Sequence, residues 1–77
     1  MPTILRWRGY RFHFYSDEAG EPPHIHVRRD GRMVKIWLNE VKVAVNYGFP
    51  EHELSVILKK TGEHREQFLE AWHAYFA

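Results

Sequence analysis

His24, His26 and Arg28 stand two residues apart in the stretch Glu21-Pro22-Pro23-His24-Ile25-His26-Val27-Arg28. The two prolines lock φ and push the residues before them out of the helical region, so the chain runs extended into this segment. Successive side chains of a strand point to opposite faces. His24, His26 and Arg28 therefore share one face, and Ile25 and Val27 share the other. Imidazoles titrate near neutral pH, so two neighbouring histidines can act as base and acid in one turnover. Cleavage of an RNA phosphodiester needs a base for the 2′-hydroxyl, an acid for the leaving oxygen and cations for the charge that develops on phosphorus. His24, His26 and Arg28 are the candidate catalytic groups for such metal-independent ribonuclease chemistry, with His13 and Lys35 as neighbours on the same face. Divalent-metal ligation by His24 and His26 is a third reading, after binding without chemistry. It needs a third ligand from His13 or a loop carboxylate such as Glu21, and the surrounding Arg and Lys side chains oppose a dication. Without it, no cofactor is expected. Binding of a polyanion or an acidic partner protein, with no chemistry, is the second reading of a basic, aromatic sheet face.

The elements that position this face are legible from turn chemistry and alternation. Thr3–Trp7 and Tyr10–Tyr15 read as strands around Arg8-Gly9, and Ser16–Pro23 as a polar loop. His24–Arg29 and Arg32–Leu38 flank Asp30-Gly31, a strong hairpin signal. Asn39-Glu40 separates Leu38 from a further strand, Val41–Val45. Turns at these positions place Leu5 opposite Phe12, Trp7 opposite Tyr10, Ile25 opposite Ile36, Val27 opposite Val34, Leu38 opposite Val41, Ile36 opposite Val43 and Val34 opposite Val45. All of these are apolar pairs on one face, and a slip of one residue destroys every one of them. The opposite face, expected to be exposed, then carries Arg6, Arg11, His13, Tyr15, His24, His26, Arg28, Met33, Lys35, Trp37 and Lys42, with no acid among them. Arg6, Arg11, His13, Tyr15, Lys35, Trp37 and Lys42 are the candidate substrate-binding residues. The cations would take phosphates, and Tyr15 and Trp37 would stack on bases.

Phe49-Pro50 opens a helical region, with Glu51 and Glu53 favourable near its N-terminus. Leu54, Ile57, Leu58, Thr61, Phe68, Leu69, Trp72, Tyr75 and Phe76 form a stripe at helical spacing. The stripe keeps phase across Thr61-Gly62, so one kinked helix or a helix pair fits. Core packing on the sheet is the plain role of this stripe. Its crowded end at Trp72, Tyr75 and Phe76 would serve a partner groove or a homodimer face. The expected fold is α+β: an antiparallel sheet of about five strands in three hairpins, with the C-terminal helix or helix pair packed on one face.

A chain of 77 residues is one small domain, residues 1–77, at a size where a single core barely suffices. Three Trp, four Tyr and five Phe supply that core with large buried area per residue. The absence of cysteine excludes disulfides and thiolate metal sites. No signal peptide or membrane-spanning stretch is visible, so a cytoplasmic protein is expected. The net charge of +1 conceals an asymmetry: residues 1–45 hold eight Lys/Arg against five Asp/Glu, and residues 46–77 hold three against five. The basic first part is where an anionic partner would bind. There is no P-loop, no Gly-rich dinucleotide motif, no Cys nucleophile and no Ser-centred triad signature.

Met1-Pro2-Thr3-Ile4-Leu5-Arg6, Gly9-Tyr10-Arg11-Phe12, Phe14-Tyr15-Ser16 and Glu21-Pro22-Pro23-His24-Ile25-His26-Val27 together resemble domain of unknown function family 4160. Trp37-Leu38, Gly48-Phe49, Glu53-Leu54 and Glu70-Ala71-Trp72-His73-Ala74-Tyr75-Phe76 extend the resemblance over essentially the whole chain, while Gly62 departs from it. The resemblance implies a small prokaryotic cytoplasmic protein, one component of a toxin–antitoxin-like pair with a cognate small protein. It brings no established reaction, and it points to His24 and His26 as the place of any site.

Overall fold

The computed structural model describes residues 3–16 and 18–76; Asp17, within the expected loop, lies outside the described residues. Five strands run in chain order, β1 (Thr3–Trp7), β2 (Tyr10–His13), β3 (His24–Arg29), β4 (Arg32–Trp37) and β5 (Lys42–Tyr47). They form one antiparallel meander in the order β1-β2-β3-β4-β5. Two helices follow, α1 (Glu51–Glu63) and α2 (Arg65–Tyr75). The fold is therefore α+β, as the segregation of strands and helices in the sequence requires. No helix among the described residues is long and apolar enough to cross a membrane.

The first two hairpin turns owe their geometry to glycine. Arg8 and Gly9 have φ of 51° and 82°, and Asp30 and Gly31 have 50° and 78°, the pattern of a type I′ turn. A Cβ at Gly31 would meet no atom within 4 Å, so only backbone strain opposes a side chain there. Gly31→Ala is expected to destabilise the protein by about 1 kcal/mol, the order of the left-handed penalty for an L-residue, measured as a lowered urea midpoint at unchanged slope.

The β3–β4 register is the one the apolar pairs demand: Ile25 faces Ile36 and Val27 faces Val34. Leu5 faces Phe12 and Trp7 faces Tyr10. The β4–β5 pairing departs from expectation after its first pairs. Ile36 faces Val43, but Lys35 faces Val45 and Val34 faces Asn46, so Ala44 is an unpaired bulge. The expected Val34–Val45 pair is thus corrected. The bulge turns Val45 and Tyr47 onto the basic face, where they are 40% and 60% exposed. It also frees the Asn46 side chain to close the following turn, accepting from the Phe49 amide at 3.1 Å and donating to the Phe49 carbonyl at 2.9 Å.

The core lies between the apolar sheet face and the helices. Phe12, Phe14, Ile25, Val27, Val34, Ile36 and Leu38 are sealed there with Ile57, Phe68 and Trp72. Phe12 packs on Phe68 with ring centroids 5.6 Å apart, and Phe14 meets Trp72 edge-on at 5.2 Å. Polar contacts fix both helices to the sheet. Tyr10 donates to Glu53 Oε1 at 2.7 Å, and the guanidinium of Arg65 donates to the carbonyls of Leu38 and Asn39. The helical region breaks at His64 (φ −106°, ψ 13°), not at Thr61-Gly62. Buried Thr61 keeps its place in α1 by donating to the Ile57 carbonyl at 2.8 Å.

Candidate functional site

β2 ends at His13, and the chain then loops back to begin β3 at His24. This loop crosses the face that the histidines occupy. A turn between the Glu18 carbonyl and the Glu21 amide (3.1 Å) places Glu18 over the sheet. Glu18 Oε1 lies 2.8 Å from both His24 Nε2 and His26 Nε2. The loop also brings Glu21 to Lys35 as an ion pair.

The histidines are not on an open surface, and the expectation of an exposed sheet face is corrected for all three. His13 and His24 are 0% exposed and His26 is 4% exposed. The sequence placed them correctly on the face opposite Ile25 and Val27, with His24 beside Trp37 and His26 beside Lys35. Aromatic side chains and the loop then cover them. Tyr15 meets His26 edge-on at 4.5 Å and His13 at 5.0 Å, while His13 and His26 stack at 5.7 Å. Because β2 stops short, no strand residue pairs with His24 on that side, and Trp72 of α2 comes within 4.9 Å of its ring. Trp37 closes the other side at 5.6 Å. Tyr15 and Trp37 are thus half-buried members of the cluster rather than open platforms for bases.

Hydrogen bonds define the state of each ring. His24 Nδ1 lies 2.9 Å from the Pro22 carbonyl, which only accepts, so Nδ1 carries a proton. In the neutral ring, Nε2 of His24 is then a lone pair. It points at a carboxylate oxygen but lacks the alignment of a hydrogen bond, and it has no other partner. His26 Nε2 makes the aligned bond to Glu18 Oε1, and its Nδ1 lies 3.4 Å from Met33 Sδ. Burial lowers the His26 pKa by more than the Glu18 hydrogen bond and charge raise it. Burial pushes the Glu18 carboxyl up, but its close contacts with the two imidazoles outweigh that and hold the group below its ordinary range. At neutral pH the pair is thus a neutral imidazole donating to a carboxylate. Burial brings His13 down to about 4, against a weaker opposing bond to the Arg11 carbonyl and with help from the charges of Arg11, His26 and Arg28.

The basic residues separate into two groups. Arg6 faces Arg11 across β1–β2, and Arg11 faces Arg28 across β2–β3, so three arginines form a row over three adjacent strands. Met33 and Tyr47 continue this row on β4 and β5. No ion pair joins Arg6, Arg11 or Arg28 to an acid among the described residues. Arg11 Nε is buried without a hydrogen-bond partner. Lys35, by contrast, is neutralised by Glu21 and lies 4.7 Å from the Trp37 ring centre. Lys42 is exposed at the start of β5, opposite Trp37.

Glu18 is the site residue that sequence reasoning missed. Strand alternation orders residues within the sheet, but it does not say which carboxylate of an irregular loop lands on them. The one available signal was geometric: the loop must return from the end of β2 to the start of β3, where His24 stands.

The arrangement defines an α+β protein with a covered His–Glu cluster beside an arginine row that is exposed at Arg6 and Arg28 and half-buried at Arg11. Residues 9–73 match the domain of unknown function (DUF4160), and the chain belongs to that family. No curated protein and no solved structure matches the chain.

Proposed function

We propose that this protein binds RNA through the Arg6–Arg11–Arg28 row, as one component of a toxin–antitoxin-like pair acting in the cytoplasm. The observation that carries this reading is the row itself. Like charges directly opposite on neighbouring strands destabilise a sheet, and no acid among the described residues relieves these three. A phosphate backbone relieves all of them at once, and it favours arginine's forked donors. Tyr47 at the far end of the row offers an exposed ring for stacking. Binding, not cleavage, is the reading the geometry favours, because His24 and His26 are covered and a polymer cannot reach them as the face stands. The pairing with a cognate small protein rests on the family resemblance alone.

Fluorescence anisotropy with a single-stranded RNA over a salt series tests the reading. Each phosphate contact contributes a slope of about −0.7 in log K against log salt. Arg6→Ala, Arg11→Ala and Arg28→Ala should each weaken binding and flatten the slope by roughly that amount. Salt-independent binding, or none at low salt, would point to a protein ligand for this face instead. Co-expression with the neighbouring small gene product, scored for growth arrest and its relief, tests the pairing.

A further inference from the structure

We infer that Glu18, His24 and His26 form a binding site for a divalent transition-metal ion of the zinc type, held through Oε1 of the carboxylate and Nε2 of each imidazole. The three ligand atoms lie within 4.8 Å of one another. Two come from one strand at the spacing that puts them on one face, and the third comes from the loop folded over that face.

The state of His24 points to a cation. Its Nδ1–H is tied to the Pro22 carbonyl at 2.9 Å, the outer-shell bond that orients a metal-binding imidazole and leaves Nε2 as the donor. That Nε2 is buried, has no hydrogen-bond partner and stands 2.8 Å from a carboxylate oxygen. Two lone pairs at that distance repel unless a cation lies between them. A shared proton would need N–H···O alignment, which this contact lacks. A metal ion needs only that both lone pairs converge on a common point. With bonds of about 2.0–2.1 Å, ligand atoms of a tetrahedral zinc site stand roughly 3.3 Å apart. The two Glu18 contacts, at 2.8 Å, open to that spacing by sub-ångström movement of Glu18 on its loop, and the two imidazole nitrogens, within 4.8 Å of each other, close to it by rotation of the rings. His26 has the matching outer-shell arrangement in a weaker form: with its Nε2 on the metal, the Nδ1–H faces Met33 Sδ at 3.4 Å.

The donor set selects the ion. Two imidazoles favour Zn²⁺, Co²⁺, Ni²⁺ or Cu²⁺ over Mg²⁺ and Ca²⁺, and the chain has no thiolate to compete. Three protein donors leave a fourth position for water. Lys35, the nearby cation facing His26 from β4, is held by Glu21.

Isothermal titration of the full-length, chelator-stripped protein with Zn²⁺ tests the site, without nucleic acid, so the result is independent of RNA binding. One equivalent of Zn²⁺ should bind and raise Tm, Mg²⁺ should do neither, and Co²⁺ should give the visible bands of a four- or five-coordinate ion. Glu18→Gln changes only a loop residue. The Gln oxygen can still accept from His26 Nε2, so the variant should remain folded with a modestly lower metal-free Tm, and it should weaken Zn²⁺ binding by at least about tenfold, the range in which even outer-shell losses fall. A His52→Ala, His73→Ala variant, which alters exposed histidines only, should bind as wild type. No Zn²⁺ binding by folded wild type overturns the inference, as does unchanged affinity in Glu18→Gln.

Discussion

His24→Ala should destabilise the metal-free protein by about 3 kcal/mol. The ring is fully buried between Trp37, Trp72 and His26, and its removal leaves a cavity that these rigid neighbours fill poorly. It also leaves the Pro22 carbonyl without its donor, a smaller loss because Pro22 is exposed and water can replace the bond. A chain of 77 residues has a total stability of only about 4–12 kcal/mol at the usual amount per residue. The variant should therefore show a much lower urea midpoint by circular dichroism, or fail to fold at 37 °C. Arg28→Ala, on the same strand but exposed, should stay within about 0.5 kcal/mol of wild type. Equal midpoints for His24→Ala and wild type would contradict the buried position of this ring. The alternation of the strand alone implied the opposite, a surface histidine whose loss leaves folding nearly intact.

Acid should weaken the fold well above the pH at which carboxylates alone titrate. His13 has a folded pKa of about 4 against the ordinary 6.5, with burial as the main cause. Between those values the unfolded chain binds the proton and the folded chain does not, so stability rises with pH. The contribution is complete above about pH 6.5 and is lost as pH falls towards 4. At about 1.4 kcal/mol per pH unit it amounts to roughly 3 kcal/mol. Arg11, Arg28 and His26 face His13 from the neighbouring positions of the sheet, and Tyr15 packs against it; none of these supplies an anion to hold a charged ring. His26 is shifted in the same direction by burial. Glu18 acts lower in the scale: its depressed pKa adds stability that is present above the unfolded value near 4.5 and is lost as pH falls through the folded one. Urea melts from pH 7.5 to 4.5 in the presence of chelator measure the slope. His13→Gln should be less stable at pH 7 but visibly less sensitive to pH between 6.5 and 4.5. An identical pH dependence in that variant would remove His13 as the source.

Much of the sheet was legible because it is encoded locally. Asp30-Gly31 and Arg8-Gly9 admit the positive φ of tight turns, and the alternation of Ile25, Val27, Val34 and Ile36 permits one register only. The assignment of His24, His26 and Arg28 to one face follows from that alternation, whereas the alignment of Arg11 with Arg28 comes from the β2–β3 pairing across a long loop, which no local signal sets. The Ala44 bulge was not legible, because Val45 satisfies the alternation equally well in the unbulged pairing. What favours the bulge is Asn46 closing the turn into α1. The break at His64 was also hidden, since Thr61-Gly62 carries the stronger local signal and only the buried bond to Ile57 shows why Thr61 stays helical. The largest difference lies at the site. By itself the sequence determined which side of the sheet the histidines occupy. Only the tertiary structure decided that this side is covered, by Trp72 from α2 and by a loop that sets Glu18 between two imidazoles. Strand periodicity is a property of neighbouring residues, whereas burial depends on what distant segments lay over them.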